Sequence, residues 1–128
     1  MTPDAALIKE AQNWLDQLDQ DLLKDPQYQK SGEEYERRME WEIRRYQGEE
    51  LEAIKEALGR WLRGDDSAKS LFALLLLNRL DAVEYLAELE AIRDQLQSGS
   101  SRWPRSRLDL VEHAIRHLRE VQHSAGGA

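Results

Sequence analysis

The sequence predicts an all-α fold of about six helices, and three observations point to it. Leu, Ala, Glu, Arg and Gln dominate the composition, and these are strong helix formers. Apolar residues recur at spacings of three and four along most of the chain. Finally, every residue from Leu71 to Leu77 is apolar, so a helix there has no polar side before Asn78 and Arg79. Such a helix has to be covered on several flanks. The run is far short of the roughly 20 residues that span a bilayer. It is therefore read as the centre of a water-surrounded core.

Each element can be justified in turn. The first helix opens with Thr2 as N-cap, Pro3 at the first helical position and Asp4 near the positive end of the dipole. Leu7, Ile8, Ala11, Trp14, Leu15, Leu18 and Leu22 form its apolar stripe, and Pro26 ends it. A polar link, Gln27–Lys30, leads to Ser31 and Glu34, which have the form of a capping box. The second helix then carries Tyr35, Met39, Ile43 and Tyr46 on one face, with Trp41 on the other side, until Gly48 breaks it. The third shows Leu51, Ile54, Leu58, Trp61 and Leu62, with Gly64 as a terminating glycine. Asp65, Asp66 or Ser67 caps the Leu-rich fourth helix, and Asp81 marks a tight turn after it. Val83–Leu96 forms the fifth helix. A loop, Ser98–Pro104, precedes the sixth, which Ser106 caps and which turns Leu108, Val111, Ile115 and Leu118 inward.

Composition bounds the possibilities. At 128 residues the chain is long enough for one core. It has no cysteine, which excludes disulfides and thiolate zinc sites. No signal-peptide pattern opens the chain, so the expected location is cytoplasmic. The net charge of −7 repels phosphate backbones and argues against nucleic acid as partner. The charge is uneven: residues 1–26 hold two Lys against six acids, whereas residues 98–128 hold five Arg against three.

The most specific signal is an internal repeat. Leu51-Glu-Ala-Ile-Lys-Glu-Ala-Leu58 matches Leu89-Glu-Ala-Ile-Arg-Asp-Gln-Leu96 at an offset of 38. The same offset pairs Ala73, Leu76, Leu77 and Leu80 with Val111, Ala114, Ile115 and Leu118. Over residues 49–121 this resembles the HEAT-like, armadillo-related α-helical repeats. The Asp-Val-Arg signature of that family is missing, and the first two helices do not repeat the unit. The resemblance implies antiparallel helical hairpins stacked in one direction; an irregular helical bundle is the alternative. The expected organisation is one helical domain, residues 1–122, with 1–48 as an N-terminal cover and 49–122 as the repeat region. Residues 123–128 carry no pattern and are expected to form a disordered tail.

Candidate functional residues are few. Arg102, Trp103, Arg105 and Arg107 form a basic loop around an aromatic, types enriched where binding energy concentrates. Alternatively Trp103 fills a gap between helices and the arginines only solvate the loop. Trp41, beside Glu40, Glu42, Arg44 and Arg45, is a contact anchor or is covered by another helix. Trp14 and Trp61 lie in apolar stripes and read as core. His113 and His117 are four apart and can share a divalent metal, yet no third ligand is evident, so no metal or other cofactor is expected. The acids opening the third helix have a dipole explanation. No glycine-rich phosphate loop, nucleophile elbow or cysteine nucleophile occurs, so an enzyme is not expected. The reading is a small non-enzymatic interaction or adaptor module that binds another protein. The alternatives are an immunity- or antitoxin-like inhibitor of a basic protein and, third, a lyase-like or ligand-binding helical-repeat protein. The first helix can also serve a homodimer.

Overall fold

The structure is a computed structural model that describes residues 3–29 and 32–126. Among them lie seven α-helices, two short 3-10 turns and no strand. The helices are α1 (Ala5–Leu23), α2 (Pro26–Gln29), α3 (Gly32–Ile43), α4 (Gly48–Arg63), α5 (Ser67–Arg79), α6 (Leu86–Ser98) and α7 (Leu108–Gly126). None of the described helices is long and apolar enough to cross a membrane. Two compact units divide the chain, one ending at Leu76 and one beginning at Leu77, so the division falls within α5.

Several boundaries differ from expectation, each for a local reason. Asp4 caps α1: its side chain accepts from the Ala6 N–H at 3.2 Å, and its carbonyl accepts from Ile8 at 3.0 Å. Pro3 therefore precedes the cap, and the expected cap Thr2 lies outside the described residues, as does Ser31 of the capping box. The polar link contains a helical turn, because Asp25 caps it through the Gln27 N–H at 3.1 Å and Pro26 suits the first helical position. The helix after it stops at Ile43 rather than at Gly48. Tyr46 thus belongs to a link that ends where Gly48, with a φ of 61°, opens α4. Gly64 ends α4 without a left-handed turn, its φ being −77°; a Cβ there would come within 3.2 Å of the Arg60 carbonyl. Val83–Tyr85 and Arg105–Arg107 are 3-10 turns, so α6 begins three residues after the expected Val83, while α7 begins at Leu108 with Ser106, the expected cap, inside the turn before it. Finally, α7 continues to Gly126, and the segment expected to be disordered from His123 is helical as far as that residue.

Within the first unit α1 packs along α4, and α3 lies against α1. Ile8, Ala11, Leu15 and Leu22 face Tyr35, Met39 and Ile43 of α3 and Ala53, Ile54, Ala57, Leu58, Trp61 and Leu62 of α4 in a buried core. A polar seam runs beside the apolar stripe of α1. Arg60 donates to Gln12 at 2.8 Å. The Trp61 indole donates to Asp16 at 2.8 Å, and the Lys69 ammonium lies 3.5 Å from the same oxygen. Deeper in, the Tyr35 hydroxyl donates to the buried carboxylate of Asp19, while its ring tilts against Phe72. This satisfies a charge that would otherwise be costly inside.

In the second unit α6 and α7 run antiparallel, with Arg119 donating to Glu90 at 2.8 Å. Leu86, Leu89, Leu96, Val111, Ala114, Ile115 and Leu118 are buried. Gly99, with a φ of 77°, ends α6: its N–H reaches the Leu96 carbonyl and that of Ser100 reaches Gln95, a Schellman closure.

The helix starts follow the offset of 38. Adding it to Gly48 gives Leu86, where α6 begins, and adding it to Ser67 gives Arg105, where the turn leading into α7 begins. All four aligned pairs from Ala73/Val111 to Leu80/Leu118 are buried. The two copies differ where Ala53 and Ala57 of α4 are buried but their counterparts Ala91 and Gln95 are exposed.

Burial, followed by the bond to Asp19 and the charge on it, pushes the Tyr35 hydroxyl well above the ordinary phenol range. Tyr35 therefore stays protonated in the fold while the unfolded chain ionises above about pH 10. Its stabilising contribution is complete below that pH and is lost as the pH rises beyond it. Replacing Tyr35 by Phe is expected to cost about 1–3 kcal/mol at pH 8 by stranding Asp19. In urea titrations at both pH values, the gap between wild type and Tyr35→Phe should narrow at pH 11.

Candidate functional site

The exposed face of α3 is a ladder of ion pairs with one aromatic in it. Arg37 meets Glu33 at 2.6 Å, Arg38 meets Glu42 at 2.8 Å and Arg44 meets Glu40 at 2.7 Å, all one helical turn apart. Arg45 reaches the other oxygen of Glu42 at 3.3 Å. Tyr35, Met39 and Ile43 take the buried side, so position 41 is turned away from the core. Trp41 is 56% exposed, the most exposed large hydrophobic residue of the described chain. The Arg38 guanidinium lies 4.9 Å from its ring centre and that of Arg45 5.4 Å. Glu42 thus tethers two cations that flank one indole. The arrangement holds a large apolar ring in water at a defined angle, which lowers the ordering cost of using it as an anchor.

Trp103 behaves differently. It is only 9% exposed, so it is part of the core of its unit and not a surface anchor. Its backbone N–H is held by the Ser101 hydroxyl at 3.0 Å. Arg107 is also buried, at 7% exposure, with its guanidinium 5.0 Å from the Trp103 ring centre. Burial pushes that guanidinium below the usual arginine range. Two of the four loop residues singled out in the sequence are therefore structural. Arg102 and Arg105 do project into solvent.

The two histidines separate. His113 is exposed, while a ring nitrogen of His117 lies 2.7 Å from the carboxylate of Asp81, the one described non-glycine residue with positive φ, 54°. The pairing steadies a left-handed turn, in which the Ala82 N–H reaches back to the Leu77 carbonyl at 3.0 Å. Among the described residues no group of three His, Asp or Glu side chains is placed to hold a metal ion.

Two clefts lie among the described residues. One, of about 240 Å³ along α6 and α7, is lined by Arg93, Gln97, Glu112, Ile115, Arg116 and Arg119. Of its arginines, Arg93 already meets Asp94 and Arg119 meets Glu90. The other, in the first unit, is about 170 Å³ and is lined by Leu7, Ala11, Ala53, Ile54, Trp14, Tyr46, Glu10 and Glu50. Trp14, expected in the core, is only half-buried, and Tyr46, beyond the end of α3, stands edge-on to it at 5.0 Å and 70°. The spacing of Glu10 to Trp14 and of Glu50 to Ile54 is i to i+4 on the two helices that pack together. That was the available sign of a shared face.

No family model matches the chain, and no curated protein or solved structure matches it. Its chemistry has to come from its own side chains.

The contrast between the tryptophans is open to measurement. Trp103→Ala is expected to cost about 3–5 kcal/mol, as for a buried aromatic, whereas Trp41→Ala should change stability by less than about 0.5 kcal/mol. Guanidinium unfolding of both variants checks the pair.

Proposed function

We propose that this protein is a non-enzymatic helical interaction module that binds another protein through the outer face of α3, with Trp41 as anchor. The observation that carries this reading is the exposed indole held between Arg38 and Arg45. Tryptophan and arginine are the residue types in which interface energy concentrates, and a ring already oriented by its neighbours loses little freedom on docking. The exposed indole suits a partner that offers an apolar pocket. Arg102 and Arg105 provide a second, separate place where an acidic group of a partner can land.

HEAT-like organisation supports the same reading. The offset of 38 carries the start of α4 onto that of α6 and the start of α5 onto the turn before α7. Repeats of this kind are stacked hairpins whose outer faces are left for binding. The lining of the first-unit cleft, apolar residues with two glutamates, contains no serine, threonine, cysteine or histidine that would act as a nucleophile. That composition fits binding.

A second reading, an inhibitor of a basic protein in the manner of immunity proteins, draws on the charge distribution. The unit ending at Leu76 has eleven Lys and Arg against seventeen Asp and Glu, a net of −6, while the remainder has seven against eight, a net of −1. The acidic charge is thus concentrated where a cationic partner would be attracted.

Affinity capture from native lysate with wild type and with Trp41→Ala tests the main reading. A partner retained by wild type and lost by at least tenfold with the variant is the expected result. A wild type that retains nothing, or a variant that retains the same partner equally, contradicts it.

A further inference from the structure

The first-unit cleft has a composition that points to a definite class of ligand. Its floor is apolar, formed by Leu7, Ala11, Ala53 and Ile54. One corner is aromatic, with Trp14 and Tyr46 at 5.0 Å and 70°. Its edge carries the carboxylates of Glu10 and Glu50, both exposed. Neither of the two has an ion pair or hydrogen bond among the described residues, and the same holds for Glu34 and Glu49, whereas Glu33, Glu40, Glu42, Glu52 and Glu56 are paired. Two unneutralised carboxylates beside two aromatic rings are suited to an organic cation. The ring faces attract it, the carboxylates balance its charge, and the apolar floor takes its hydrocarbon stem.

Size narrows the choice. At about 170 Å³ the cleft falls below the roughly 300–1,000 Å³ of pockets that hold drug-sized ligands. It has room for one side chain and not for a nucleotide or a cofactor. The unit around it carries a net charge of −6, complementary to a basic protein surface. A lysine is a better fit than an arginine, because its compact ammonium sits at the end of a flexible four-carbon stem.

We propose that the Trp14–Tyr46 cleft receives the alkylammonium of a lysine side chain presented by a basic partner protein. This rests on the reading of the molecule as a protein-binding module but uses a surface distinct from Trp41. The lysine stem lies over Leu7, Ala11 and Ile54, and its ammonium sits between the aromatic corner and the glutamates. The cleft then supplies specificity for a charged lysine over its acetylated form, since acetylation keeps the stem and removes the charge.

The four tryptophans give four indole N–H signals in a nitrogen-15 correlation spectrum, so each region reports separately. The probes are a short lysine-rich peptide, the same peptide with its lysines acetylated, and n-butylammonium. A saturable shift of the Trp14 signal with the lysine peptide is expected, at least tenfold weaker with the acetylated peptide. The double variant Glu10→Gln/Glu50→Gln should weaken it by at least tenfold too, with an unchanged Trp61 signal reporting an intact fold. Any one of no shift of Trp14, an equal response to the acetylated peptide, an unweakened double variant, or no response of Trp14 to n-butylammonium at any concentration would overturn the proposal. A shift of Trp41 alone overturns the cleft assignment while leaving the α3 reading standing.

Discussion

An apolar run with no polar side is the constraint on which the rest of this structure depends. From Leu71 to Leu77 no residue of α5 can make a favourable contact with water, and Ala73, Leu74, Leu76 and Leu77 are all fully buried. Both ends of the helix are closed by side chains suited to the task. The Asp66 carboxylate accepts from the Lys69 N–H at 3.0 Å at the start, and Asp81, in a left-handed conformation, turns the chain at the finish. Between them Ser70, also buried, returns its hydroxyl to the Ser67 carbonyl and so leaves no unmet donor. Four of the seven residues of the run are fully buried and Leu71, Phe72 and Leu75 are half-buried, so exposed polar chemistry lies outside the run.

The fold was largely legible because burial imposes a period on the sequence. Stripes such as Tyr35–Met39–Ile43 and Val111–Ile115–Leu118 are buried where their spacing places them. Helix ends were less legible, since competing caps differ by little energy. Asp4 took the role expected of Thr2 because its carboxylate reaches the Ala6 N–H. The helical turn at Pro26 depends on one Asp25 hydrogen bond that periodicity cannot register. The continuation of α7 past His123 has a similar origin. A terminal helical turn needs no apolar stripe to persist, only residues that tolerate helical geometry.

Site residues were harder to read, because exposure depends on tertiary neighbours rather than on residue type. Trp41 and Trp103 both stand among arginines in the sequence, yet one is 56% exposed and the other 9%. Position relative to a stripe distinguished Trp41: it is opposite Met39 and Ile43 on a helix with only one buried face. Trp103 lies in a loop, where no period exists to consult. The Trp14 cleft leaves no pattern in the sequence for a different reason. It depends on the path of the link between α3 and α4, which carries Tyr46 off its helix and against Trp14. Asp19 and Tyr35 show the same limit, since a buried carboxylate and its donor sixteen residues away leave no local pattern.

If the apolar run is the constraint that sets the fold, it has to be the part of the chain that opens last. Hydrogen–deuterium exchange resolved by residue measures this directly. The amides of residues 71–77 are expected to exchange only through global unfolding, at least tenfold more slowly than those of residues 36–42 on α3. Exchange in 71–77 as fast as in 36–42 would contradict the account and move the centre of the fold elsewhere.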